Sequence, residues 1–226
     1  MIVVLGRPAL AVPSSVADGA AAQAGRLAGL AALIAVEAAA RGSSVEVAGS
    51  IGDDAEGDRV AVELGKHHVG HAALLRDPAG STPVAGREAG APSAADAAPP
   101  PRLEAGDVEL GLRYLTEYHV LVLAQALPVD AEAAALDAAA YHGAAVVAIV
   151  AAGASAGSRL AEEATVLEEP SAEAGTEDEA DASVAGNSAF AAFIGAFAAR
   201  LDAGQQAADA LREAASGTGW QRSSAG

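Results

Sequence analysis

The chain has no cysteine and only one methionine and one tryptophan. Lys66 is its single lysine. Without thiols there can be no disulfide, no thiolate nucleophile and no Cys-ligated metal. Aromatic residues make up 3% of the chain, although 52% of it is hydrophobic. The core must therefore be assembled from Ala, Val and Leu, with helices meeting closely at Ala. No stretch approaches the run of about 18 or more apolar residues that a membrane-spanning helix needs. The opening segment, MIVVLGRPALAVP, has no basic leader and reads as a strand rather than a secretory signal. A soluble, cytoplasmic protein is expected. Cations are scarce as well: 13 Lys and Arg face 30 Asp and Glu, for a net charge of −17. Such a surface repels nucleic-acid phosphates and anionic lipid, so neither is expected as a partner. Arginine used in place of lysine, with abundant Ala and Gly, suits a GC-rich genome. A high-salt cytoplasm is the second reading of the same acidity.

What is present alternates between strand and helix signals. Residues 2–5 form a short apolar run closed by Gly6 and Pro8, a buried strand. Residues 20–40 are Ala- and Leu-rich with high helix propensity and end at Gly42. A strand over 45–48 follows, then Gly52, Asp53 and Asp54, with Asp54 placed to cap a helix reaching Lys66. Further strands are expected over 72–75, 120–123 and 144–150, and helices over 107–115, 130–141 and 155–164. Two closing helices fall over 188–201 and 205–215. This order predicts a parallel α/β sheet covered on both faces, with the strands at 2–5, 44–49, 119–124 and 144–150 adjacent. A single domain is expected over 1–216, interrupted by a Pro/Ala-rich loop at 86–102 and an acidic loop at 168–184, with a flexible tail at 217–226. Trp220 in that tail either packs back on the body or meets a partner. His67, His68 and His71 are close in sequence, and three imidazoles suit zinc. A surface cluster at a helix-to-strand junction is the favoured reading of them.

The segment Val47-Ala-Gly-Ser-Ile-Gly52-Asp53-Asp54-Ala-Glu-Gly57 resembles the first conserved block of the ribokinase-type (PfkB) carbohydrate kinases. The continuation through Leu64 and Val69 to Leu75-Arg-Asp-Pro-Ala-Gly80-Ser-Thr82 is similar to the strand, turn and threonine that follow in that family. Ala185-Gly186-Asn187-Ser188-Ala189-Phe190 resembles the family's glycine-rich turn and helix. The resemblance spans Gly6 to about Ala215. It implies a three-layer αβα ribokinase-like sandwich with a mostly parallel sheet, and an ATP- and Mg2+-dependent phosphorylation of a sugar or nucleoside hydroxyl.

The same resemblance locates the functional positions, and most of them are altered. The family's substrate aspartate falls at Ala11. Its Gly-Gly-x-x-x-Asn sugar-binding pattern falls on Gly29 and Leu33, with Leu33 in place of the asparagine. The asparagine of Asn-x-x-Glu falls at Pro170, while Glu173 remains as a metal-side carboxylate. The anion hole falls at Ala185, Gly186 and Asn187, and the catalytic aspartate falls at Ser188. Few residues separate Glu173 from Gly186, so the strands on the nucleotide side are expected to be missing and the lid reduced. These changes point to a kinase homologue with weak or no activity, and ATP and Mg2+ rest on the resemblance alone. The alternatives are a non-catalytic, homo-oligomeric binding protein and a small-molecule sensor on the same fold.

Overall fold

The computed structural model describes residues 1–11, 26–85, 98–170 and 177–220, with backbone alone over 177–185. The chain runs β1 (Ile2–Gly6), β2 (Ala9–Ala11), β3 (Arg26–Ala28), α1 (Gly29–Ala39), β4 (Val45–Gly52), α2 (Ala55–Lys66), β5 (Gly70–Asp77), β6 (Val84–Ala85) and α3 (Ala105–Arg113). It continues β7 (Val120–Leu123), α4 (Val129–His142), β8 (Ala145–Val150), α5 (Ser158–Glu163), β9 (Ala164–Glu168), α6 (Glu177–Asp202) and α7 (Ala207–Thr218). The large sheet has the order β5-β4-β1-β7-β8-β9, and every pairing in it is parallel. The four strands expected to be neighbours are neighbours. A small second sheet, β3-β2-β6, stands apart from it.

Strand alternation sends side chains to two separate cores. Ile2 and Val4 of β1, with Val120 and Val122 of β7, face α1, α2, α6 and α7. Val3 and Leu5, with Leu121 and Leu123, face α3, α4 and α5. Each central strand is thus buried on both sides and reads as a continuous apolar run, as parallel strands do. The scarcity of aromatics is met by close helix contact. On α1 the buried face is Ala31, Ala32, Ile34, Ala35 and Ala38. A Cβ added to Gly195 of α6 would stand 2.7 Å from the Glu37 Cβ and 2.9 Å from the Ala38 nitrogen. The two helices approach so closely because neither carries bulk at the crossing.

Three sequence expectations change. The helix expected from residue 20 begins at Gly29, because Arg26–Ala28 pair antiparallel with β2 and Gly29 adopts φ +75°. Pairing with β2 overrides the helix propensity of the Ala/Leu run; residues 20–25 lie outside the described set. The acidic stretch expected as a loop over 168–184 is strand at its start, since β9 reaches Glu168. It is helix from Glu177, so the helix expected at Ser188 starts well before it. The tail expected from 217 is ordered through Trp220. That indole lies 5.1 Å from the Phe190 ring and stacks on Phe193 at 6.0 Å. Residues 86–97 and 221–226 lie outside the described set, whereas Pro99 is fixed by the Ser81 N–H donating to its carbonyl at 2.8 Å. No helix among the described residues is long and apolar enough to cross a membrane.

A close backbone contact joins the last residue of β1 to the middle of β4. Gly49 has φ +148°, and a Cβ there would fall 1.8 Å from the Gly6 carbonyl oxygen. Gly49→Ala is expected to abolish the cooperative thermal transition followed by circular dichroism. Gly106→Ala in α3 has open space around it and is expected to gain about 0.5–1 kcal/mol. Equal melting of the two variants would contradict this packing.

Candidate functional site

The block that resembles the kinase family is a clasp. Asp54 caps α2 by accepting the Gly57 N–H at 2.7 Å. The same carboxylate accepts the Thr82 N–H at 2.8 Å and the Thr82 hydroxyl at 2.7 Å. The hydroxyl oxygen in turn accepts the Gly52 N–H at 2.9 Å. The glycines are dictated by contact: a Cβ on Gly57 would meet the Gly52 carbonyl at 2.4 Å, and one on Gly52 would meet Asp54 at 2.5 Å. Gly52 and Asp54 thus form the turn and cap expected of them, while Asp53 is exposed and faces Arg76 at 3.6 Å. Burial pushes the Asp54 carboxyl up, but hydrogen bonds from Thr82 and Gly57 outweigh it and hold the group below its ordinary value.

Beside the clasp, Asp77 accepts the backbone N–H groups of Ala79 and Arg102 at 2.9 and 2.8 Å. Hydrogen bonds from Arg102 and Ala79 hold its carboxyl below the usual range. It borders a cleft of about 210 Å³ with Ser50, Arg102, Glu104 and Asp107. Further along the carboxyl edge of the sheet, the N–H of Arg7 donates to Gln125 Oε1 at 2.9 Å, joining the ends of β1 and β7. Gln125 opens onto a second cleft of about 140 Å³ between the ends of β7 and β8.

The positions assigned by resemblance do not all converge. Ala11 ends β2 and pairs with Arg26 across the small sheet. Gly29 starts α1, where a Cβ would lie 3.3 Å from Ala9 Cβ and 3.5 Å from the Arg7 carbonyl oxygen. Gly29 therefore sits beside Arg7 and Ala9, while Ala11 lies at the far end of β2. Leu33 is half-buried on α1 and packs on the apolar core. Ala185, Gly186, Asn187 and Ser188 lie inside α6. Their N–H groups belong to a continuing helix, whose free donors are confined to its first turn. The helix start expected at these residues lies earlier, at Glu177. Glu173 lies outside the described residues. Among the described residues no three His, Cys, Asp or Glu side chains come together as metal ligands. His67 ends α2 and His68 is left-handed at φ 58°. Sequence reading missed Arg7 and Gln125; the available signal was a polar residue within two positions of the end of each of two strands.

No family model matches the chain, and no curated protein matches it. Solved structures do. A PfkB protein from Polaromonas sp. JS666 is 13% identical, with 95% of this chain and 92% of that one covered at a TM-score of 0.62. Arabidopsis thaliana ribokinase, complexed with ribose and ATP, is 15% identical over 96% and 90% at 0.60. An E. coli protein described as a ribokinase II, in complex with ATP and Mg2+, is 14% identical over 94% and 89% at 0.56. The chain has the ribokinase-type (PfkB) fold: a three-layer α/β sandwich with a mostly parallel sheet.

Asp54→Ala leaves Thr82 and the α2 start without their acceptor and is expected to cost about 3 kcal/mol. In a chain of this size that lowers the melting temperature by roughly 10 °C. Because the folded carboxyl titrates below its unfolded value, its stabilisation is complete above about pH 5 and disappears as pH falls through the folded value. The melting difference between wild type and Asp54→Ala should therefore be constant near neutrality and shrink in acid. A difference that grows on acidification would contradict the assigned hydrogen bonds.

Proposed function

We propose that this chain is a PfkB-type carbohydrate kinase homologue in which ATP-dependent phosphorylation of a sugar or nucleoside hydroxyl has been lost or reduced to a trace, and which persists as a small-molecule-binding protein. The observation that carries the reading is the position of Ser188, inside α6, where the resemblance calls for a catalytic aspartate at a helix start. A serine hydroxyl keeps its proton near neutral pH and cannot serve as the base. Losing a positioned base costs about 10²–10⁴ in rate. Phosphoryl transfer otherwise rests on positioning and electrostatic stabilisation. A helix already under way at Gly186 has its N–H groups in internal bonds and offers none to a developing negative charge. The described residues thus do not fit a nucleotide–Mg2+ centre of the family's kind, and no chemical step is routed through one. The net charge of −17 also opposes nucleic acid and anionic membranes as partners.

The reading is tested with purified protein, ATP and Mg2+, and a panel of sugars and nucleosides, by following ADP release. Background rates are expected, for wild type and for Ser188→Asp alike. Turnover near 1 s⁻¹, at the low end for kinases, would refute it. A thermal-shift screen over the same panel tests retained binding, since a ligand of the native state raises the melting temperature.

The same reading includes self-association. Among the described residues β9 closes the large sheet on one side, and an open strand edge is a template for another chain. Tyr114, Val129 and Tyr141 add exposed apolar surface on the α3–α4 side. A two-fold dimer is expected in sedimentation at micromolar concentration and moderate salt. A 22.0 kDa monomer at all concentrations would contradict it.

A further inference from the structure

The large sheet has a switch point. From β1 the chain builds outward through β4 to β5 on one side, then returns to build β7, β8 and β9 on the other. Open α/β sheets hold their ligands outside the carboxyl ends of the strands at such a point. Here it lies between the ends of β1 and β7. The residues standing there are Arg7 and Gln125, bridged by the Arg7 N–H donating to Gln125 Oε1 at 2.9 Å. Because that backbone group is a donor, the oxygen of the carboxamide must face it, and the amide NH2 is left for another acceptor.

Arg7 differs from the other described arginines. Arg41, Arg76, Arg102, Arg159, Arg200 and Arg212 each pair with a carboxylate. Arg26, Arg59 and Arg113 form no such pair, but they are exposed to water. Arg7 is half-buried, its Nε is shielded from solvent without a hydrogen-bond partner, and no carboxylate among the described residues reaches it. In a chain with 30 acids to 13 bases, a counter-charge would be easy to supply. With its Nε enclosed and no protein carboxylate at hand, the guanidinium has a charge that an external oxyanion at its terminal nitrogens would balance.

The surroundings agree with that. Helix α1 starts against Arg7, with Gly29 packed on its carbonyl. Its N-cap, Ala28, makes no side-chain bond, and its first turn holds no acid. The first-turn N–H groups and the positive end of the helix dipole therefore lie beside the Arg7 backbone. Where the family resemblance places a substrate-binding aspartate, this chain has Ala11, whose partner across the strand pair is Arg26. The acidic acceptor for a neutral hydroxyl is thus replaced by a methyl group, opposite an arginine in the strand pair.

We infer that Arg7, Gln125 and the start of α1 form a subsite for an oxyanion, a carboxylate or phosphate carried by a sugar-sized molecule. The inference rests on the small-molecule-binding reading above and gives it a substrate class. A guanidinium fork matches either oxyanion in two parallel hydrogen bonds, which a neutral sugar cannot accept with equal strength.

The test compares D-gluconate and D-ribose 5-phosphate with D-glucose and D-ribose, by thermal shift and titration calorimetry, on wild type, Arg7→Gln and Arg7→Lys. One of the two anions should bind wild type at least about tenfold more tightly than its neutral counterpart, the worth of one charge-assisted bond; which one identifies the oxyanion. Arg7→Gln should erase that preference, and Arg7→Lys should keep part of it. If Arg7→Gln fails to fold, wild type and Arg7→Lys still decide, because the preference is read between ligands on one protein. Neutral sugars binding as tightly as the anions, or Arg7→Gln keeping the full preference, would overturn this inference and leave the binding reading standing. Absence of binding by all four probes, and by nucleosides, would overturn both.

Discussion

One carboxylate joins the two parts of this molecule. Asp54 receives three hydrogen bonds, one from the start of α2 and two from Thr82. Thr82 lies on the segment leading into β6, the strand that ties this segment to the small sheet through Leu10. The large sheet and the small one are thereby tied together. The clasp works only because the two glycines beside it leave room for carbonyls that any side chain would displace. A surface ion pair could not do this job, since exposed pairs contribute little and yield to salt. Several short bonds to a partly sheltered carboxylate are directional and resist screening.

The rest of the body follows a rule of small residues. Ala fills the core faces of α1 and α4, and glycine marks the closest crossings. Each Ala buries little area, so stability comes from many close contacts at near-crystalline density rather than from a few large side chains. Two of the three phenylalanines and the tryptophan are placed differently. Phe190, Phe193 and Trp220 cluster where α6 meets the chain end after α7. The bulk that the middle of the molecule does without is placed there, closing the apolar layer beneath α6.

Much of the architecture is legible in the sequence because its signals are local. The β1, β7 and β8 runs are apolar on both faces, β4 alternates at its start, and Asp54 is a cap that announces itself. The errors arise where tertiary contact outweighs propensity. Arg26–Ala28 reads as helix and becomes strand because β2 offers it a partner. The Glu- and Ala-rich stretch after residue 176 reads as a solvated loop and extends α6. The candidate site was less legible still. Resemblance marks positions by what another family does there, and so directs attention to Ala11, Leu33 and Ser188, whose chemistry is gone. Arg7 carries no motif. It stands out only when the sheet order shows that β1 borders the switch point and when its guanidinium is found without a counter-charge.

The net charge bears on how such a subsite would operate. At −17 the whole-molecule field repels an approaching anion, which slows capture and weakens binding at low ionic strength. Screening shortens that field to about 8 Å at physiological salt and about 3 Å at 1 M. A guanidinium in direct contact with an oxyanion, sheltered from water, is screened far less. Added salt therefore removes more of the repulsion than of the attraction, up to the point where salt anions themselves compete for Arg7. An acidic surface around one sheltered cation thus favours ligands that form short, directional contacts over ions held only by a diffuse field. It also gives the scarcity of lysine a physical consequence. A flexible ammonium held in water offers a loose point charge to many anions, whereas a planar guanidinium fork is selective by shape.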